Sequence, residues 1–215
     1  EEDRIGGVSG CAVRPKRVRK EKPRVSAFTS ADIPKILALS PDLVLTFSDL
    51  QADIAAELIR SGVAVMAYNQ RDIAGILAMI RHLGATVGQG RRAARLADHY
   101  EQRLATISAR TQQRPRLRVY FEEWDDPQAA AKDRFVTSDQ VIAAAPDVIL
   151  ASWCGKKVRP EKIAARPGWD TIPAVRNNRI IEIKSPLILQ PGPAALTDGL
   201  DAILAALAPR YETLS

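Results

Sequence analysis

DIAGILAMIRHLGATVGQGRRAARLADHYEQRLATISART, residues 72–111, is the stretch whose reading decides the fold. Its apolar positions Ile73, Ile76, Leu77, Ile80, Leu83 and Val87 step by three and four, as do Ala93, Leu96, Ala97, Tyr100, Leu104 and Ile107. That is the period of one apolar helix face. No proline falls between Asp72 and Arg114, although Gly84, Gly88 and Gly90 are points where the run can bend or break. The spacing predicts one long helix, in which roughly 40 residues at about 1.5 Å each reach on the order of 60 Å. A rod of that length crosses between two lobes. Arg81, Arg91, Arg92, Arg95, Arg103 and Arg110 would coat its solvated back face.

On both sides of this helix, strand and helix patterns alternate. Before it, residues 4–9 (RIGGVS), 24–28 (RVSAF), 43–47 (LVLTF) and 63–68 (VAVMAY) read as strands. Ser30 or Asp32 caps the helix that carries Pro34 in its first turn, and Pro41-Asp42 ends it. The apolar run 43–47 is expected to be buried on both faces. After the long helix, residues 117–121 (LRVYF), 148–151 and 179–183 read as strands, and 137–145, 160–165 and 196–207 as helices. Such alternation implies βαβ units and a parallel sheet. The halves also repeat at an offset of 105: ILALSPDLVL at 36–45 faces VIAAAPDVIL at 141–150. The resulting fold class is α/β, two Rossmann-like lobes bridged by one long α-helix. Residues 1–71 form the first lobe, 72–113 the bridge and 114–215 the second lobe.

Composition excludes general disorder, because 46% of the 215 residues are hydrophobic. The formal net charge is +6, a balance compatible with nucleic acid, a membrane surface or an anionic ligand. Most cations are interspersed with acids along helices, so nucleic-acid binding is not expected, and the run KRVRK at 16–20 reads as a solvated loop. Cys11 and Cys154 form no CxxC and no metal-spaced set, and a free thiol is expected for each. No run of about 18 apolar residues predicts a membrane span. The opening Glu1-Glu2-Asp3-Arg4 is not a signal peptide, which fits a cytoplasmic protein or a processed exported one.

Ligands of parallel sheets collect beyond the carboxyl ends of the strands. The loops expected there are 46–49, 68–70, 122–126, 152–156 and 185–193. Trp124 and Trp153 each follow a strand end and offer a broad apolar face with one polar handle; the alternative is that they plug the interface between lobes. For Glu122-Glu123 and Asp125-Asp126, hydrogen bonding and loop capping are favoured over a hard cation, since no DxDxDG loop supports one. His82 and His99 stand 17 residues apart with no partner cysteine, so structural or solvated roles are expected. GQGRRA at 88–93 mimics a dinucleotide fingerprint but follows no strand. No GxSxG motif and no nucleophile–base order points to an enzyme.

These residues resemble the substrate-binding proteins of ABC importers for cobalamin, haem and iron–siderophore complexes. The match runs through DRIGGVS at 3–9, the units 36–47 and 50–68, the bridging helix, VYFEEWDDP at 119–127, residues 137–156 and the tail from Arg179. FEEWDDP and SDQVIAAAPDVILASWCGK are its most specific pieces, similar to a cobalamin-binding-like branch. The resemblance implies a helical-backbone periplasmic binding protein that captures cobalamin or a related chelate (haem, iron–siderophore) in the cleft between lobes. Trp124 and Trp153 would hold it, with Ser48, Tyr68, Asn69, Glu123 and Lys156 as further contacts. Asp53 and Glu161 are the positional candidates for docking onto arginines of an ABC permease dimer. It further implies no catalysis, no intrinsic cofactor or metal, a monomer, and export to the periplasm or cell envelope on a signal outside these residues. The resemblance also leads one to expect a further strand and helix ahead of residues 3–9, as the first unit of the first lobe, and roughly 30 more residues near positions 128–131. The competing reading is a cytoplasmic α/β enzyme or chelatase-like tetrapyrrole handler using Glu122, Glu123 or Asp125. A third is a basic nucleic-acid module built on residues 16–20.

Overall fold

The computed structural model describes residues 2–123, 136–190 and 192–208. It forms two compact units, Glu1–Arg71 and Asp72–Ser215. In the first unit, β1 (Val8–Ser9), α1 (Val18–Glu21), β2 (Arg24–Ser26), α2 (Ile33–Ala38), β3 (Val44–Phe47), α3 (Ala52–Arg60) and β4 (Val65–Tyr68) follow in order. β1 pairs with β2 and β3 with β4, both in parallel. Parallel pairing needs a crossover, and each intervening helix supplies one. Ile33, Ile36 and Leu58 from α2 and α3 form the core, with Val25, Val44, Val63 and Val65 of the strands and their flanks packed on it. The expected burial of 43–47 on both faces is not found: Leu45 is 48% exposed. Alternate residues of a strand face opposite sides, and in this unit only the side of Val44 meets the helical core.

The second unit opens on α4 (Ile73–Thr86) and α5 (Gly90–Thr111). The segment is helical, but it is not one rod. Asp72 caps α4 by accepting from the Gly75 N–H at 2.7 Å. Gly88, with φ +77°, then turns the chain out of the helix, a conformation that Cβ-bearing residues adopt only with strain. Past this turn α5 folds back along α4. Ile76, Leu77 and Ile80 pack with Ala93 and Ala97. Arg81 pairs with Asp98 and Glu101, each at 2.8 Å. At the crossing a Cβ on Gly84 would lie 2.1 Å from the Cβ of Ala93, so only glycine lets the backbones approach this closely. α5 alone, with 22 residues, extends roughly 33 Å. The fold class stands as two α/β lobes joined by a long helical segment, with the glycine at its middle making that segment a hairpin.

The rest of the unit is β5 (Val119–Glu122), α6 (Ser138–Ala144), β6 (Val148–Ala151), α7 (Pro160–Ala164), α8 (Pro173–Arg176), β7 (Ile180–Glu182), α9 (Ser185–Ile188), α10 (Pro193–Leu196) and α11 (Asp198–Leu207). The three strands form a parallel sheet in the order β5-β6-β7. β6 is central and buried at all four positions. Ile149 and Ala151 face a cluster with Val141, Ile163, Trp169 and Ile172, whereas Val148 and Leu150 face Ile183 and Ala206. Leu196 of α10 closes the α4/α5 core, and Arg103 of α5 donates to the Leu196 carbonyl at 3.2 Å and pairs with Asp201.

The repeat at offset 105 is a repeat of punctuation. Asp32 caps α2 and Thr137 caps α6, each accepting from the backbone N–H three residues on. Ser40 and Ala145 both take positive φ, 46° and 45°, just before Pro41 and Pro146. Both pairs are related by the same offset.

Candidate functional site

In the first unit the loops after β2, β3 and β4 are laced together. The Ser48 N–H donates to the Tyr68 carbonyl at 2.8 Å, and Ser48 Oγ accepts from the Leu50 N–H at 3.2 Å. Ser48 has φ +70°, so these two bonds hold a non-glycine residue in a left-handed conformation. Gln51 is the clamp: its Oε1 accepts from the Phe47 N–H at 2.9 Å and its Nε2 donates to the Phe28 carbonyl at 2.7 Å. Arg71 pairs with Asp49 at 2.7 Å across the mouth of the same loops. Ser48 and Tyr68 are half-buried and Asn69 is exposed. Burial raises the Tyr68 phenol above its ordinary value. The edge therefore presents the exposed Asn69 amide beside the half-buried Ser48 on a braced backbone, with the Tyr68 hydroxyl oxygen buried.

In the second unit the strand ends are organised around Glu122. This carboxylate is 3% exposed and fully engaged. Oε1 accepts from the Trp153 indole N–H at 2.9 Å and from Arg166 Nη2 at 3.0 Å, while Oε2 accepts from Arg166 Nη1 at 2.5 Å. The bidentate pair matches the planar fork of guanidinium to a carboxylate. Arg166 in turn lies over the Trp169 ring, 4.5 Å from its centroid, and Trp169 donates its N–H to Ser138 Oγ at 3.1 Å. Tyr120 meets Trp169 edge-on at 6.0 Å. Its phenol is pushed up to about 12, first by burial and then by the Glu122 charge, with Arg166 opposing. The Ser152 N–H donates to the Glu122 carbonyl at 2.7 Å, tying the loop after β6 to the end of β5. Glu182, the last residue of β7, accepts from the Val158 N–H at 3.2 Å and from Lys184 Nζ at 2.7 Å. Burial opposes its ionisation, but these bonds and the Lys184 and Lys157 charges outweigh it and hold the carboxyl below its usual value.

The expected residues are thus distributed unevenly. Trp153 is 3% exposed and sits in the cluster with Val158 and Ile163. Its ring is core and its N–H belongs to Glu122, so in this structure it presents no open face. Glu123 is half-buried and Lys156 exposed. Trp124, Asp125 and Asp126 lie outside the described residues, as does the position 128–131. Asp53, in the first turn of α3, and Glu161, in the first turn of α7, are both exposed. Cys11 and Cys154 are exposed and form no disulfide. Among the described residues no group of three or more His, Cys, Asp or Glu is placed to hold a metal ion, and no helix is long and apolar enough to cross a membrane. Sequence reasoning missed Arg166, Ser138 and Gln51. For Arg166 a signal existed: a glutamate at the end of a strand paired to an all-apolar neighbour must find a cation. For Gln51 and Ser138 none did.

Comparisons with known proteins agree with this architecture. The Vibrio cholerae periplasmic vitamin B12 binding protein BtuF superposes with a TM-score of 0.70 at 21% identity, covering 95% of this chain and 87% of that one. The apo form of the periplasmic heme-binding protein RhuT from Roseiflexus sp. RS-1 gives 0.74 at 24% identity, covering 93% and 89%. An uncharacterized ABC transporter substrate-binding lipoprotein, YvrC of Bacillus subtilis (strain 168), is 23% identical over 96% of this chain and 74% of its own length. The family model described as periplasmic binding protein matches residues 1–138 and 135–187. The chain belongs to the periplasmic binding protein family.

Proposed function

We propose that this chain is the solute-binding component of an ABC importer for a metal chelate such as haem, a ferric siderophore or cobalamin. The family match over residues 1–138 and 135–187 carries the reading, and the heme and vitamin B12 named for two structural relatives support the chelate class. Members of this family are non-catalytic carriers of the cell envelope, which sets the enzyme reading aside. Ser48, Tyr68 and Asn69 are the ligand contacts of the first unit, and Glu123 and Lys156 those of the second, joined by Trp124. Trp153 serves them indirectly, as the buried pin that fixes the loop carrying Lys156. Asp53 and Glu161 engage the permease, a dimer, with the binding protein acting as a monomer.

The test is a titration of the chain with haem, a ferric siderophore and cobalamin, followed by chelate absorbance and tryptophan quenching. Saturable binding of one of them well below about 100 μM is expected, because a capture protein works at low solute concentration. Silence with all three at that concentration overturns the reading.

A further inference from the structure

The segment GCAVRPKRVRKEKPR, residues 10–24, carries seven Lys and Arg against the single acid Glu21, a net of +6. The whole chain also has a net of +6. The remaining residues therefore balance to zero, and the entire excess of positive charge lies in one crossover between β1 and β2. Every cation of the segment is exposed except the half-buried Lys22. Of its acids and neighbours, Glu2 and Glu21 both go to Arg17, at 2.5 and 3.6 Å, so they spend themselves on one cation. The segment is also held in place: Arg19 Nη2 donates to the Gly10 carbonyl at 2.9 Å, and Lys35 adds a further cation by donating to the Arg24 carbonyl at 2.7 Å. Solvated single charges bind little, whereas a fixed cluster facing an extended anionic surface sums its attractions.

We infer that this crossover is a membrane-contact surface that docks the first unit onto anionic phospholipid headgroups. A run of exposed cations along one crossover fits a broad polyanionic plane, not an enclosed small anion. The inference uses the family's place in the cell envelope and is independent of which chelate is carried.

The experiment is co-sedimentation of the whole chain with phosphatidylcholine vesicles, with and without about one-third phosphatidylglycerol, at about 50 mM salt. The expected result is on the order of 10-fold stronger binding to the anionic vesicles, falling to the neutral level near 0.5 M salt. Lys16→Glu/Lys20→Glu removes the preference, and Arg91→Glu/Arg92→Glu on α5, with the same change in net charge, retains it. Lys16→Gln/Lys20→Gln, giving an intermediate loss with unchanged circular dichroism, guards against misfolding of the reversal variant. Equal binding to both vesicles overturns the inference. So does equal loss in the two reversal variants, or displacement by millimolar inorganic phosphate, which assigns the cations to a small anion.

Discussion

Glu122 shows how much one residue can organise. A carboxylate at the end of an apolar sheet is costly unless fully paired, and here Trp153, Arg166 and the backbone of Ser152 converge on that one residue. Glu122→Gln keeps the shape but leaves the Arg166 guanidinium without its counter-charge. A loss of about 3 kcal/mol is expected, read from urea unfolding. Arg166→Leu, which removes the cation instead, should cost a similar amount, and the double variant less than the sum. Tyr120 gives a pH test. Its phenol titrates near 12 in the folded chain and near 10 when unfolded. The folded state therefore holds the proton more tightly. The contribution of Tyr120 to stability is complete below about pH 10 and is lost as pH rises towards 12. Unfolding measured across that window should show a fall that Tyr120→Phe reduces. At this scale sequence located Trp153 at a strand end but did not tell its burial, because the direction a side chain takes after a strand is set by the loop that follows.

At the scale of elements, the two copies at offset 105 share their caps, and the caps are separable from the packing around them. Asp32→Ala and Thr137→Ala should each cost about 1 kcal/mol in thermal or chemical unfolding. Thr137→Ala should cost the more, since a capping box with Gln140 is lost with it. The helical hairpin makes a sharper prediction. In an isolated helix Gly84→Ala stabilises by up to about 1 kcal/mol. Here the added methyl meets Ala93 at 2.1 Å, and overpacking costs about 1–3 kcal/mol. Net destabilisation is expected for Gly84→Ala and more for Gly84→Val, with Ala93→Gly partly restoring the former. The helical period from Ile73 to Ile107 was legible in sequence, and so was the risk posed by its glycines. That Gly88 turns the chain back, and that Gly84 meets Ala93, was not, because periodicity reports which face is apolar and not what covers it.

For the whole molecule, the parts are two α/β units divided at Arg71 and Asp72, each with parallel-paired strands, and the positive excess is confined to one crossover of the first. If the chain carries a chelate, ligand stabilises only the folded state. Thermal unfolding with chelate at a hundred times its Kd should then show about 2.7 kcal/mol of added stability, scaling with the logarithm of concentration. Asn69→Ala, at an exposed position, should reduce that increment while changing the stability of the free protein little, which separates contact with ligand from support of the fold.

By itself the sequence determined the β/α alternation, the internal repeat with its Pro-Asp turns, the helical segment at its centre and the strand ends from which a site would be built. These follow from periodicity and from residues with strong local preferences, which act over a few positions. Only the tertiary structure decided that β6 is buried on both faces while Leu45 of its counterpart strand stays exposed, that residues 72–111 fold as a hairpin, and that Glu122 pairs with Arg166. Those outcomes depend on which neighbours arrive from distant parts of the chain, and apolar periodicity and caps act alike whatever those neighbours are.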